Sequence, residues 1–281
     1  MTASSTPSPT AWATFRLPSL GYFYDGKLPN GEIGVRKMTA REESILQTQG
    51  LDGTDRINMI VANCIRLPDD FEYVLPGTDR KVKGVDALLT TDKLAALLFQ
   101  RTFTFGPNYT YTFRCQACRA NNRATCNIIE DFDYVSPETL LLQAERDGVA
   151  LTLEEPFEVR LLDAGLTVRC RLLRGVDERE IFRRANKAKL TNLDPTDPSY
   201  IARLSAQIVD VEGMDWPRLD AMRKEMWLRS ITAADSARIR IETERRQTAL
   251  DTDVSPSCRA CGAVNEMPLQ FDVEFFLPSR L

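Results

Sequence analysis

The chain contains no histidine. That removes imidazole as a general base, as a proton shuttle and as a zinc ligand, and with it every Ser-His-Asp or Cys-His hydrolase. Neither phosphate-binding glycine pattern, GxxxxGK[ST] or GxGxxG, occurs. No apolar run approaches the roughly 18–20 residues of a membrane span. The Thr/Ser/Pro-rich start, Met1 to Thr10, lacks the basic-then-apolar order of a secretory signal, so a soluble protein made in a cytosol is expected. A dominant charge is missing as well. The 36 basic and 40 acidic residues leave a net charge of −4, which exerts no global pull toward nucleic acid or anionic membrane. Acidic side chains are plentiful, but none are paired at a spacing that suggests glycosidase or metal-hydrolase chemistry, and no enzyme is expected.

What remains is 281 residues of ordinary globular composition, 43% hydrophobic and 27% charged, enough for one large core or two small ones. Seven cysteines stand out. In a reducing compartment they point to thiols and metal rather than disulfides. Four of them form two CxxC pairs, C-Q-A-C from Cys115 to Cys118 and C-R-A-C from Cys258 to Cys261, at an offset of 143 residues.

The same offset aligns more than the cysteines. Ala117 falls on Ala260, Ala120 on Ala263, Asn122 on Asn265 and Phe132 on Phe275. Upstream, Asp92 falls on Asp235, Leu88 on Ile231, Ile65 on Ile208 and Val61 on Leu204. Further upstream the offset becomes 135, with Val35 to Glu43 against Cys170 to Glu178 and Arg36 on Arg171; the length difference is expected near Gly50 to Asp55. A gap-free register that includes both cysteine pairs, an Asp and an Asn is the signature of a tandem duplication.

The expected fold class is therefore α+β: two tandem, related α/β halves about a pseudo-twofold axis, pinned by one four-cysteine, zinc-ribbon-like site. Residues 1–30 form an N-terminal arm and docking segment, of which the first 16 have little structure of their own. Residues 31–135 form the first half, 136–156 a connector with a short helix after Ser136, and 157–281 the second half. Each half opens with a hairpin: Leu17 to Tyr24 with Glu32 to Met38, and Phe157 to Leu162 with Leu166 to Leu173 around the turn Asp163-Ala164-Gly165. A helix follows, begun by a Thr39/Glu42 capping box and stopped near Gly50 in the first half, and spanning Asp177 to Leu190 in the second. Shorter helices are expected at Ile57 to Ile65 and Tyr200 to Val211, then helices from about Thr91 and Thr232. A strand enters each CxxC and another leaves it, Cys126, Ile128 and Glu130 corresponding to Leu269, Phe271 and Val273.

A CxxC at the tip of a two-strand turn is a zinc knuckle, and two knuckles offer Cys115, Cys118, Cys258 and Cys261 as the four thiolates of a closed structural site holding one zinc per chain. A redox pair, an iron–sulfur cluster and knuckles without metal are the competing readings. Cys64 and Cys170 sit in apolar periodic stretches and read as buried small hydrophobes, Cys126 as a strand residue. Arg183 to Lys189 is basic and reads as a solvated helix end, and Glu242 to Arg246 as an exposed helix face.

The ordered set L-P-S-L-G-Y-F-Y (Leu17 to Tyr24), V-R-K-M-T-A-R-E-E (Val35 to Glu43), L-L-T-T-D (Leu88 to Asp92), G-P-N-Y (Gly106 to Tyr109), CQAC, R-L-L-R-G-V-D-E (Arg171 to Glu178), CRACG and a terminal F-F-L-P (Phe275 to Pro278) resembles the T-even-type bacteriophage baseplate protein family, which includes hub subunits and hub assembly factors. The resemblance covers about Leu17 to Leu281. It implies a structural or assembly component of a contractile phage tail, at or near the central hub, with other baseplate and hub proteins as partners. It also implies a virion location after assembly in the host cytoplasm, with the arm and the Phe275 to Pro278 end docked on neighbours. The alternative is a zinc-ribbon adaptor that binds nucleic acid in transcription or packaging, for which Arg114, Arg119, Arg123 and Phe113 supply a little basic and aromatic surface.

Overall fold

The computed structural model describes residues 11–48, 53–191, 198–269, 271 and 273–276. It is mixed helix and sheet, with small antiparallel sheets set among helices. The first sheet begins earlier than expected. Trp12–Arg16 pairs with Glu32–Arg36, Ala13 facing Val35 and Phe15 facing Ile33, and Ile65–Arg66 joins with Ile65 opposite Val35. This corrects the reading of an arm without structure up to Arg16. Alternation puts Ala13 and Phe15 on one face, and Phe15 stacks on Phe99 with ring centroids 4.4 Å apart. Residues 1–10, the rest of that arm, lie outside the described residues.

Leu17 to Tyr24, expected as a strand, is instead a run of turns that buries Leu17, Phe23 and Tyr24. Gly21 explains the tightness: at φ +83° it approaches Leu28 so closely that a Cβ would lie 2.0 Å from the Leu28 carbonyl oxygen.

The second sheet is the expected hairpin, Phe157–Leu161 with Leu166–Cys170, extended by Ile208–Val211 with Ile208 opposite Cys170. The helix expected through Val211 ends at Gln207 because β-branched Ile208, Val209 and Val211 enter this sheet. The paired helices are Ala40–Leu46 and Gly175–Thr191, Gly53–Cys64 and Pro198–Gln207, and Thr90–Phe105 and Ala233–Glu244. Thr39 and Glu42 form the expected capping box, and Thr232 caps its helix by accepting the Asp235 N–H. The first of these helices ends at Leu46; its expected stop, Gly50, lies outside the described residues.

Positions 143 residues apart do not always share an element. Glu72–Val74 and Lys81–Lys83 form a hairpin, whereas the corresponding part of the second half holds a turn at Trp216 and the helix Ala221–Ser230. Alternating E-Y-V and K-V-K favour strands; A-M-R-K-E-M-W-L-R behind the Asp220 cap is made of good helix formers.

One apolar cluster runs from Leu17 to Phe276. Asp133–Val135 pairs with Ala249–Asp251, bringing two segments distant in sequence into one sheet. Arg174 is fully buried and donates to the carbonyls of Ala87 and Phe23 and to the Glu155 carboxylate at 2.7 Å, tying the start of Gly175–Thr191 to those distant segments. Two further expectations are corrected. Arg246, expected on an exposed face, is buried over the Phe157 ring at 4.6 Å. Phe275 and Phe276, expected to dock on neighbours, are buried in this chain's own core, Phe275 edge-on to Tyr109; residues 277 and 278 lie outside the described residues.

Candidate metal centre

Alternation in N-Y-T-Y-T-F-R turns Tyr109, Tyr111 and Phe113 inward, and Asn108–Arg114 pairs along its whole length with Asn121–Asn127. The first CxxC forms the tip. Cys115 donates its N–H to Ala120 at 2.9 Å, Arg119 donates back to Cys115 at 3.0 Å, and Arg119 closes the turn at φ 63°. The second tip repeats this: Cys258 donates to Ala263 at 2.8 Å, Gly262 donates to Cys258 at 2.9 Å, and Gly262 stands at φ 73°. Its supporting strands are short, Asp253–Val254 with Met267–Pro268. The strand expected to run on through Phe271 and Val273 stops at Pro268, which has no N–H for a ladder, and Val273–Phe276 is helical.

The two tips face each other. The Sγ atoms of Cys115, Cys118, Cys258 and Cys261 all lie within 4.8 Å of one another. Cys115 and Cys261 are 3.8 Å apart, and Cys118 and Cys258 are 3.6 Å apart. Four sulfurs at about 2.3 Å from a tetrahedral zinc would be separated by about 3.8 Å, so this donor set fits a closed structural site.

Two asparagines link the tips reciprocally. Asn122 accepts the Arg259 N–H at 2.9 Å, and Asn265 accepts the Gln116 N–H at 2.8 Å. Each donates its amide to its own tip, Asn122 to the Ala120 carbonyl and Asn265 to the Ala263 carbonyl, both at 2.9 Å. Asn122 also reaches Cys258 Sγ at 3.3 Å. Both side chains are buried. Both asparagines stood out in the sequence as matched positions; that each accepts an N–H from the opposite tip left no trace there.

The electrostatics suit a cation. The N–H groups of Cys118 and Ala117 hold the Cys115 thiol below its usual range. Against the opposing effect of lost solvent, the N–H groups of Cys261 and Ala260 and the Asn122 amide pull Cys258 down to about 6. At Cys261 the Ala263 N–H acts downward, but crowding by Cys118, Cys258 and Cys115 pushes the thiol up to about 12. A positive ion among the four sulfurs would favour their thiolate forms. The other cysteines lie elsewhere and are buried: loss of solvent raises Cys64 and Cys170 to about 12 and Cys126 to about 11, as expected of inert core thiols.

Residues 21–277, nearly the whole chain, match the family described as T4 bacteriophage base plate protein. The chain belongs to this family. Membership supports a structural role in the phage tail baseplate, among other baseplate proteins, and agrees with the likeness carried by the sequence motifs. No curated protein and no solved structure matches the chain. Among the described residues of this baseplate protein, no helix is long and apolar enough to cross a membrane.

Proposed function

We infer that this baseplate protein is a non-enzymatic adaptor at or near the central hub of a contractile tail, built from two duplicated halves and pinned by one structural zinc on Cys115, Cys118, Cys258 and Cys261. The observation that carries the reading is the reciprocal closure of the two tips within a chain whose family match is nearly complete. The duplication draws support from contacts that recur at the sequence offsets. Val35 opposes Ile65 as Cys170 opposes Ile208. Arg36 pairs with Glu42 as Arg171 pairs with Asp177. Asp92 and Asp235, 143 residues apart, each accept an N–H from a turn of the preceding hairpin, that of Ser19 and that of Asp163, although those two donors do not align at either offset. Crossed contacts between the tips are what a pseudo-twofold axis through the metal site would produce. The halves proposed on this basis start near Trp12 and Phe157, with 136–156 as connector. No step of the reading needs turnover: a closed four-thiolate site leaves no position for substrate.

Cross-linking and mass spectrometry of purified tails and of assembling baseplates test it. Cross-links to central hub proteins are expected, and the effect of adding purified chain to assembling tails should scale with the number of tails. Cross-links confined to head or fibre proteins, or many substrate molecules processed per chain, would overturn the reading.

A further inference from the structure

An open cleft of about 880 Å³ lies beside the metal centre, lined by Thr112, Phe113, Arg114, Asn121, Asn122, Arg123, Arg259 and Ala260. Three exposed arginines face it, two from the first hairpin and one from the second tip. No carboxylate lines it, and Arg114, Arg123 and Arg259 have no ion-pair partner among the described residues. Arg183, Arg184, Arg218, Arg223, Arg240 and Arg245, also exposed, each have an acidic partner within one helical turn, while Arg41, Arg80, Arg146 and Arg169 have no ion pair among the described residues. What distinguishes this patch is that three arginines share one concavity whose lining holds no carboxylate, which makes it locally positive in a chain of net charge −4.

The four thiolates and a dication would carry a formal charge of −2, and arginines nearby offset part of it. The guanidinium groups of this patch, however, are exposed, while the direct partners of the sulfurs are backbone N–H groups and Asn122. The strands Asn108–Arg114 and Asn121–Asn127 pair only with each other among the described residues, so each leaves an edge of backbone donors and acceptors without a strand beside it. The outward face carries Thr110, Thr112, Arg114, Arg123 and Thr125, with no aromatic side chain: Tyr109, Tyr111 and Phe113 are turned inward. Nucleic acid bound as a single strand uses exposed aromatic platforms, which this face lacks. An extended polypeptide needs only an edge, and guanidinium groups pair with carboxylates in a two-pronged geometry.

We propose that this cleft docks a carboxylate-rich extended segment of a partner polypeptide, its acidic side chains held by Arg114, Arg123 and Arg259 and its backbone laid along the hairpin. Because Arg259 belongs to the second tip and the other two to the first hairpin, the segment bridges both tips. Docking there does not depend on where in the baseplate the chain sits.

The test uses the full-length, metal-loaded protein and two fluorescent probes, an oligoglutamate peptide and an oligothymidylate, followed by anisotropy at low and raised salt. The peptide is expected to bind in a salt-sensitive way. Arg123→Glu and the milder double change Arg114→Gln with Arg123→Gln should weaken it about tenfold or more, with zinc content and circular dichroism unchanged. Arg41→Glu, a charge change of the same size on the exposed face of Ala40–Leu46, should leave it within about twofold. Absence of peptide binding, equal weakening by Arg41→Glu, or preference for the oligothymidylate with loss in the same variants would each overturn the proposal.

Discussion

Arg36 meets Glu42 at 2.8 Å with the carboxylate fully buried, and Arg171 meets Asp177 at 2.7 Å. Each carboxylate also accepts the N–H of the residue that precedes its helix, Thr39 at 3.0 Å and Arg174 at 2.9 Å. One side chain thus satisfies an orphan helix donor and a buried guanidinium together. Burial alone would raise the Glu42 carboxyl; the Arg36 guanidinium and the Thr39 N–H and hydroxyl outweigh it and hold it at about 2. The folded-state value is below the unfolded value of about 4.3, so the stabilisation is fully present above that pH and is lost as pH falls toward about 2. Glu42→Gln should cost on the order of 2–3 kcal/mol at neutral pH and flatten the decline of stability between about pH 4 and 2, as read by urea unfolding across pH. Arg119 calls for the opposite expectation. It holds a left-handed conformation that Gly262 fills in the other tip. Arg119→Gly should therefore stabilise the metal-loaded protein by roughly 0.5–1 kcal/mol, a gain visible as a higher melting temperature.

Each half's hairpin turn is fastened by an acid in the first turn of a later helix. Asp92 accepts the Ser19 N–H at 3.0 Å and hydroxyls from Ser19 and Tyr24, and Asp235 accepts the N–H groups of Asp163 and Ala164 at 3.3 and 2.8 Å. Asp235→Ala leaves those two donors without acceptors and should cost about 1–3 kcal/mol, with faster hydrogen exchange at Asp163 and Ala164 than elsewhere in the hairpin; unchanged exchange there would show that the fastening is unimportant. Elements of this local kind were legible in the sequence. The Thr39 capping box, the Asp163-Ala164-Gly165 turn and the convergence of the two CxxC pairs rest on short-range chemistry or on the repeated spacing. The strand Trp12–Arg16 was missed because five residues with two inward side chains look like a tail until Glu32–Arg36 lies beside them. The sheet formed by Asp133–Val135 and Ala249–Asp251 joins segments more than a hundred positions apart and leaves no local trace. Between Glu72 and Lys83 and at the positions 143 residues later, equal length carries no sign that one stretch is a hairpin and the other includes a helix.

At the scale of the whole molecule, the question is what joins the two proposed halves. A continuous apolar core, the shared two-stranded sheet and the bonds from buried Arg174 to the Ala87 and Phe23 carbonyls already do so without metal. The metal is therefore expected to lock a preformed contact rather than to fold the chain outright. Structural zinc contributes on the order of 10–16 kcal/mol of binding energy in small peptides at neutral pH, where nothing else folds the site. Here less of that is usable, yet even a fraction rivals the roughly 5–15 kcal/mol of an ordinary domain. Cys118→Ser or Cys261→Ser should release the ion and loosen the tips, measured as faster hydrogen exchange from Cys115 to Asn122 and from Cys258 to Asn265. Cys64→Ala and Cys170→Ala, in the core, should keep the ion and cost only packing. Asn122→Ala should keep all four ligands but weaken zinc binding by about 10–100-fold, because it removes a bond to Cys258 and the link to Arg259. Elemental analysis should give one zinc per chain, and X-ray absorption four sulfur neighbours. A protein purified without any metal whose tips show the same exchange protection as the zinc-loaded form would sink the idea. An absorption spectrum typical of iron–sulfur clusters would replace zinc with a different ion on the same four cysteines.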